Sequence, residues 1–264
     1  MCASEMFATI WTTAKRWVRR LGVAWRSRKP GWAVVAGERF LLRYPFSRFD
    51  PASERLVLDA FAAAVAPGML VFDVGANAGI YTLVASRRGA RTVAFEPSRK
   101  AAQLLEEHLA LNQLEADVVQ AVVVDHDGEV SFFEQGSANT SSISEASART
   151  GEGLTEGEVV EVARPAVSLD SYCAGSGLWP DVVKLDVEGA EALALAGASA
   201  WLDRRRGVLF LELHPWSLAQ LGQSERDVFE LLDSSGWTWL LIEDNGNTRH
   251  YQVFPGPPSL CSAK

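Results

Sequence analysis

A chain of 264 residues with 48% hydrophobic content can bury one full core and still carry an appendage. Its formal net charge of −8 argues against nucleic acid as a partner. Three scattered cysteines, Cys2, Cys173 and Cys261, give no zinc or disulfide spacing and suit a reduced, cytoplasmic setting. No apolar run reaches the ~20 residues that span a bilayer. The early positive charges follow the first short apolar stretch rather than precede it, which is not the order of a secretory signal.

Residues 1–30 stand apart as a basic arm. They hold seven Lys/Arg against one acid, Glu5, a local charge of +6 that leaves −14 on the remainder. Wound at about 100° per residue, Met6, Ile10, Ala14, Trp17, Val18, Leu21 and Trp25 share one face, with Lys15, Arg16, Arg19 and Arg26 opposite. A basic amphipathic helix edged with Trp, here over residues 6–28, matches a segment lying on a membrane surface or against a partner. Packing of its Trp face on its own domain is the plainer alternative.

Residues 31–68 read as a lead-in. Trp32 to Tyr44 alternates as a hairpin around Gly37-Glu38, and Pro51 to Ala64 has helical spacing that ends at Pro67-Gly68. From residue 69 to 264 strands and helices alternate: strand Met69–Asp73, helix Ile80–Arg88, strand Arg91–Glu96, helix Ser98–Leu111, strand Val118–Val124. That rhythm predicts a mostly parallel sheet with helices on both faces. It breaks at a short strand, Glu129–Glu134, and at the weakly hydrophobic stretch Gln135–Glu158, which reads as a lid or a disordered loop. Order returns with strand Val159–Ala163, helix Ser168–Tyr172, strand Asp181–Asp186, helix Glu188–Leu195, strand Gly207–Leu213 and helix Glu225–Ser235. Strands Trp237–Ile242 and Arg249–Phe254 flank Asp244-Asn245-Gly246-Asn247, an antiparallel hairpin turn.

The chemistry collects at strand ends, where open α/β sheets bind ligands. Leu70 to Thr82 is a buried strand closed by Asp73, then a turn with Gly75 and Gly79. A pyrophosphate cradle needs a second glycine where this turn has Asn77, and an acid before the turn repels phosphate. The same acid suits a ligand bearing ammonium and sulfonium groups, such as S-adenosylmethionine. Glu96, ending the next strand about 20 residues on, is placed for ribose hydroxyls. Asp73, Gly75, Gly79 and Glu96 are therefore the candidate cofactor residues.

Asp186 and His214 close two later strands, with Lys184 and Glu212 inside them. A charged Lys184 in a central strand needs a carboxylate partner, and Glu212 is the nearest. His214 could take a proton from a hydroxyl acceptor as a neutral imidazole. Asp186 and Glu188 could instead hold a Mg²⁺-type cation. Hard cations want several oxygens and only two are well placed, so no metal is assigned. Glu191, at a helix start, reads as an ordinary dipole-favouring acid.

Val71 to Gly79, Phe95-Glu96-Pro97 and above all Val183-Lys184-Leu185-Asp186-Val187-Glu188-Gly189-Ala190-Glu191 resemble the FkbM family of S-adenosylmethionine-dependent methyltransferases, over about Leu70 to Phe254. The resemblance implies a class I methyltransferase (Rossmann-like) fold with a seven-stranded, mostly parallel sheet. It also implies O-methylation of a hydroxyl on a sugar, glycan or secondary metabolite. By that resemblance Asp73, Gly75, Asn77, Gly79 and Glu96 would line the cofactor site, and the catalytic candidates are His214, Asp186 and Glu188. A nicotinamide-dependent oxidoreductase and a non-catalytic scaffold remain as alternatives.

Overall fold

A computed structural model describes residues 29–43, 54–135, 141–149 and 159–256. Residues 1–28 of the arm and most of the expected lid lie outside the described residues. A hairpin, β1 (Gly31–Val35) and β2 (Glu38–Leu42), turns through Ala36 and Gly37, both at positive φ. It docks on the helix Arg99–Asn112 through two backbone donors: Leu41 N–H to Asn112 Oδ1 (2.8 Å) and Arg43 N–H to His108 Nε2 (2.9 Å). Helix α1 (Arg55–Ala64) buries Val57, Leu58, Phe61 and Ala62, the 3.6-residue stripe that its sequence carries.

The core alternates β3 (Leu70–Val74), α2 (Ile80–Arg87), β4 (Arg91–Phe95), α3 (Arg99–Asn112) and β5 (Asp117–Val119). After an excursion come α5 (Leu169–Ser176), β9 (Val182–Leu185), α6 (Glu191–Ala196), α7 (Ser199–Asp203) and β10 (Val208–Leu213). Helices α8 (Pro215–Gln220) and α9 (Glu225–Ser234) and strands β11 (Trp237–Asp244) and β12 (Arg249–Pro255) complete it. The sheet order is β11-β12-β10-β9-β3-β4-β5, and β12 runs antiparallel to both neighbours. The parallel core and its closing antiparallel hairpin are those the sequence rhythm predicts. Alternate residues of each strand feed opposite faces. Phe72 meets Phe95 and Tyr172 on one side, while Phe61 meets Tyr81 and Phe210 on the other.

Three expectations change. The single strand expected over Val118–Val124 is two: β5 in the main sheet, and β6 (Val122–Val123) in a second sheet with β8 (Val159–Val167) and β7 (Gly128–Gln135). Its partner strand β4 stops pairing at Phe95↔Val119, just before Pro97, which has no amide hydrogen to extend the ladder. The helix expected from Glu188 begins at Glu191, because Glu188 and Gly189 have φ of 51° and 104°, outside the helical region. Within the expected lid, residues 141–149 are ordered against the core. Ser142 bridges to Phe133, and a single turn, α4 (Glu145–Ala148), follows.

Candidate active site at the strand mouths

The turn after β3 is shaped by what it must pass. Gly75 has φ of 80°, and a Cβ there would lie 1.7 Å from the carbonyl oxygen of Asp186. Only glycine lets the β3 and β9 mouths meet this closely. Gly75 and Ala76 N–H both donate to the Phe95 carbonyl (2.9 and 3.0 Å). Asn77, at φ 48°, takes the left-handed conformation that Asn tolerates better than most residues. Its N–H donates to Glu96 Oε2, and the Ser98 N–H donates to Glu96 Oε1, each at 2.7 Å. Glu96 thus ties the first turn to the start of α3 while presenting a carboxylate to the space between them.

That space is a cleft over the strand mouths. Gly75, Asn77, Glu96, Asp186 and Glu188 line it, together with Phe95, Phe132, Ser141 and Ile143. Two expected cofactor residues do not. Asp73 is buried beneath the turn, accepting from the Thr82 hydroxyl at 2.6 Å. Gly79 caps α2 at φ 85° against Leu105. Both support the turn from behind. The physical reason is register: Asp73 pairs with Ala94 and Lys184 inside the sheet, one residue short of the mouth. Burial pushes the Glu96 carboxyl up to about 7 against the pull of its two amide donors, and that of Asp73 up to about 6.

Beside the cleft, β9 and β10 bring a charged cluster together. Lys184, fully buried, has Nζ 3.2 Å from Glu212 Oε2 and 3.5 Å from Asp186 Oδ2, so the partner expected from sequence is present. Burial alone would lower its pKa, but Asp186, Glu212 and Glu54 together hold it above the usual lysine value. Glu54 in turn accepts from the Tyr81 hydroxyl at 2.9 Å. Asp186 is raised by burial and by Glu212, while Lys184 and His214 keep Glu212 low. His250, opposite Glu212 on β12, is lowered to about 4 by burial and by Lys184.

His214 follows β10 with Pro215 starting α8, as the sequence suggests. Its Nδ1 lies 2.8 Å from Oε1 of Glu191, a side chain with no exposed surface. The same oxygen accepts from the Gly189 N–H at 2.9 Å. Glu191 is thus the orienting partner that sequence reasoning passed over as a helix-dipole acid. Its spacing five residues after Asp186, in the densest acidic block, was the available signal. Burial would lower the imidazole's pKa, but Glu191, Glu188 and Asp186 raise it to about 10. Those charges favour the protonated imidazole over the neutral base expected from sequence. Glu188, raised to about 7 by burial, titrates nearer neutrality.

This sheet order, with a cleft over the mouths of β3, β4 and β9, defines a class I S-adenosylmethionine-dependent methyltransferase fold. The chain belongs to the FkbM methyltransferase family: the model of the methyltransferase FkbM domain matches residues 73–240, well over half its length. Among solved structures it is similar to the 16S rRNA methyltransferase RsmC of T. thermophilus, solved with AdoMet and guanosine. Identity there is 18%, the TM-score 0.52, and the match covers 86% of this chain and 50% of that one. A putative SAM-dependent methyltransferase from Streptococcus mutans gives 10% identity, a TM-score of 0.52 and coverage of 86% and 56%. A methyltransferase FkbM from Methylobacillus flagellatus KT gives 14% identity, a TM-score of 0.45 and coverage of 75% and 52%. The chain thus spans about half the length of these three structures. At these identities the likeness speaks to fold alone. No curated protein matches the chain. Among the described residues, no helix is long and apolar enough to cross a membrane.

Proposed function

We propose that the chain transfers a methyl group from S-adenosylmethionine to a hydroxyl oxygen of a sugar, glycan or secondary metabolite. The carrying observation is the juxtaposition of two unlike surfaces through Asp186 and Glu188, which line the cleft and also face His214. The cleft fits the donor: a buried acid at the end of β4, a glycine turn without a phosphate nest, and apolar walls from Phe95 and Phe132. When bound, S-adenosylmethionine supplies an electrophilic methyl carbon on sulfonium. Glu96 has lone pairs left for ribose hydroxyls after accepting two amide hydrogens. Gly75 and Asn77 would line the donor's site, and Asp73 with Gly79 holds the turn that carries them.

The polar cluster suits an acceptor that must lose a proton. Asp186, Glu188 and His214 surround one point beside the cleft, so the proton released from the acceptor oxygen stays among those groups. Holding oxygen, carbon and sulfur in line does most of the work, with proton removal secondary. Ser141 and Ile143 close the cleft from the expected lid, which fits exclusion of water from the reaction. The test is twofold. Native mass spectrometry of the purified protein should show carried-over S-adenosylhomocysteine. A panel of hydroxylated acceptors with labelled donor should then yield an alkali-stable methyl ether. His214→Ala is expected to lose turnover while keeping affinity for S-adenosylhomocysteine. Activity equal to the parent's would remove the cluster from the reaction.

The basic face at residues 6–28 supports a cytoplasmic location, peripheral at a membrane. The full chain is expected to sediment with anionic vesicles, and a chain lacking those residues to stay in solution.

A further inference from the structure

At the β9 and β10 mouths the donor atoms of several side chains converge on one point. His214 is only 8% exposed, and among the described residues its Nε2 makes no hydrogen bond. Yet that atom faces three carboxylate oxygens: Glu188 Oε2 at 3.5 Å, Glu212 Oε1 at 3.6 Å and Asp186 Oδ1 at 3.8 Å. These gaps are long for hydrogen bonds. They are ordinary between donor atoms that each sit about 2.1 Å from one ion, since adjacent donors then lie about 3.0–3.5 Å apart and more distant ones up to about 4.2 Å. One atom each from Asp186, Glu188 and His214 lies within 4.8 Å of the others.

Each donor is also held from behind. Glu191 Oε1 takes His214 Nδ1, the carboxylate–histidine arrangement that aims the other ring nitrogen of a metal ligand. Lys184 takes Oδ2 of Asp186 and leaves Oδ1 toward His214. Glu188 sits at φ 51°, a conformation that a β-carbon disfavours. Its carbonyl accepts from the Ser142 hydroxyl at 2.9 Å, and Gly189 beside it packs on Ser217. A bare acidic patch needs none of these supports.

We propose that Asp186, Glu188 and His214 bind a divalent first-row transition-metal ion, with Glu191 as the positioning residue. An imidazole with two carboxylates favours Mn²⁺ or Zn²⁺ over Mg²⁺ or Ca²⁺, which prefer all-oxygen sites. The sequence offered only two oxygens and so no metal; the fold adds the nitrogen. Asp186 and Glu188 stay partly open to the cleft, leaving coordination positions for an acceptor oxygen, which the ion would make more acidic. That last role rests on the proposed methyl transfer; the ion site does not.

The experiment is a calorimetric titration of the full, chelator-stripped chain with MnCl₂ and with ZnCl₂, without methyl donor or acceptor. One ion per chain is expected, with Mn²⁺ also lost from its free paramagnetic resonance signal. Glu188→Gln and His214→Ala should each weaken binding at least about tenfold, and Glu191→Gln by about 10–100-fold, the usual reach of an outer partner. Thermal melting identifies the variants that fold, and Glu188→Gln, close in shape, serves if His214→Ala does not. No saturable heat with either ion, or the parent's affinity kept in folded Glu188→Gln and Glu191→Gln, overturns the site. A separate titration of the parent with S-adenosylhomocysteine reads the methyl-donor assignment, so the two failures are told apart.

Discussion

Glu96 and Asp73 show how two acids of the same expected role separate once strands are in register. Both close apolar runs, and both were expected to face one ligand. Glu96 lies one residue beyond its strand and reaches the cleft; Asp73 lies within its strand and is covered by Thr82. Replacing Glu96 with Gln keeps the size but turns one acceptor oxygen into a donor toward an amide N–H that already points at it. A bond to a charged group contributes about 1.5–3 kcal/mol, so affinity for S-adenosylhomocysteine should fall about 10–100-fold by calorimetry. The same variant tests the electrostatics. The folded carboxyl keeps its proton up to about 7, against an ordinary 4.5, so the folded state binds more protons in that window. Its contribution to stability is therefore complete below 4.5 and is lost as pH rises through 7, by about 3 kcal/mol. Urea unfolding at about pH 5 and about pH 7.5 should show the parent weakening with pH, and Glu96→Gln weakening less. A residual slope of the same sign remains from Asp73, raised to about 6. The strand ends were legible in the sequence because apolar β-formers stop there. Which oxygen faces a ligand was not, because one residue of register decides it.

Between elements, the pairing of β9 with β10 is where sequence reasoning reached furthest. A lysine in a central strand requires an anion, and Glu212 is there at 3.2 Å. The same rule did not recover Glu191 or the left-handed Glu188-Gly189 step, since a helix start hides both behind ordinary first-turn acids. Nor did it divide β5 from β6, because Val-Val runs on either side of Gln120-Ala121 look continuous until β4 ends. Lys184→Met leaves Glu212 and Asp186 without their cation, and removing one member of a buried pair costs about 3–5 kcal/mol. Chemical denaturation should show that loss. The double change Lys184→Met with Glu212→Leu should restore part of it, because no buried anion then lacks its partner on β10. A double variant weaker than the single would mean that Glu212 is held mainly by His250, across the β10–β12 pair, or by His214.

At the scale of the molecule, a sheet with one reversed strand brings the mouths of β3, β4, β9 and β10 to a single rim. Residues far apart in sequence, from Gly75 to His214, therefore share one cleft and its border. The reversed strand was legible because an Asn-Gly turn joins two apolar runs at the end of an otherwise alternating pattern. The shape of the rim was not, because it depends on Gly75 passing under the Asp186 carbonyl. What the rim holds is a charge question that the whole chain can answer. A ligand that binds only the folded state adds about 2.7 kcal/mol at one hundred times its dissociation constant. For a chain of this size, that raises the melting temperature by about 5–11 °C. S-adenosylmethionine and S-adenosylhomocysteine at saturating concentration should both produce the shift. NADH at the same concentration should produce none, because its pyrophosphate would meet Glu96 and Asp186 with no glycine at Asn77 to open a nest of amides. A shift with NADH and none with the sulfur ligands would reverse the sign of the ligand that this acidic rim accepts.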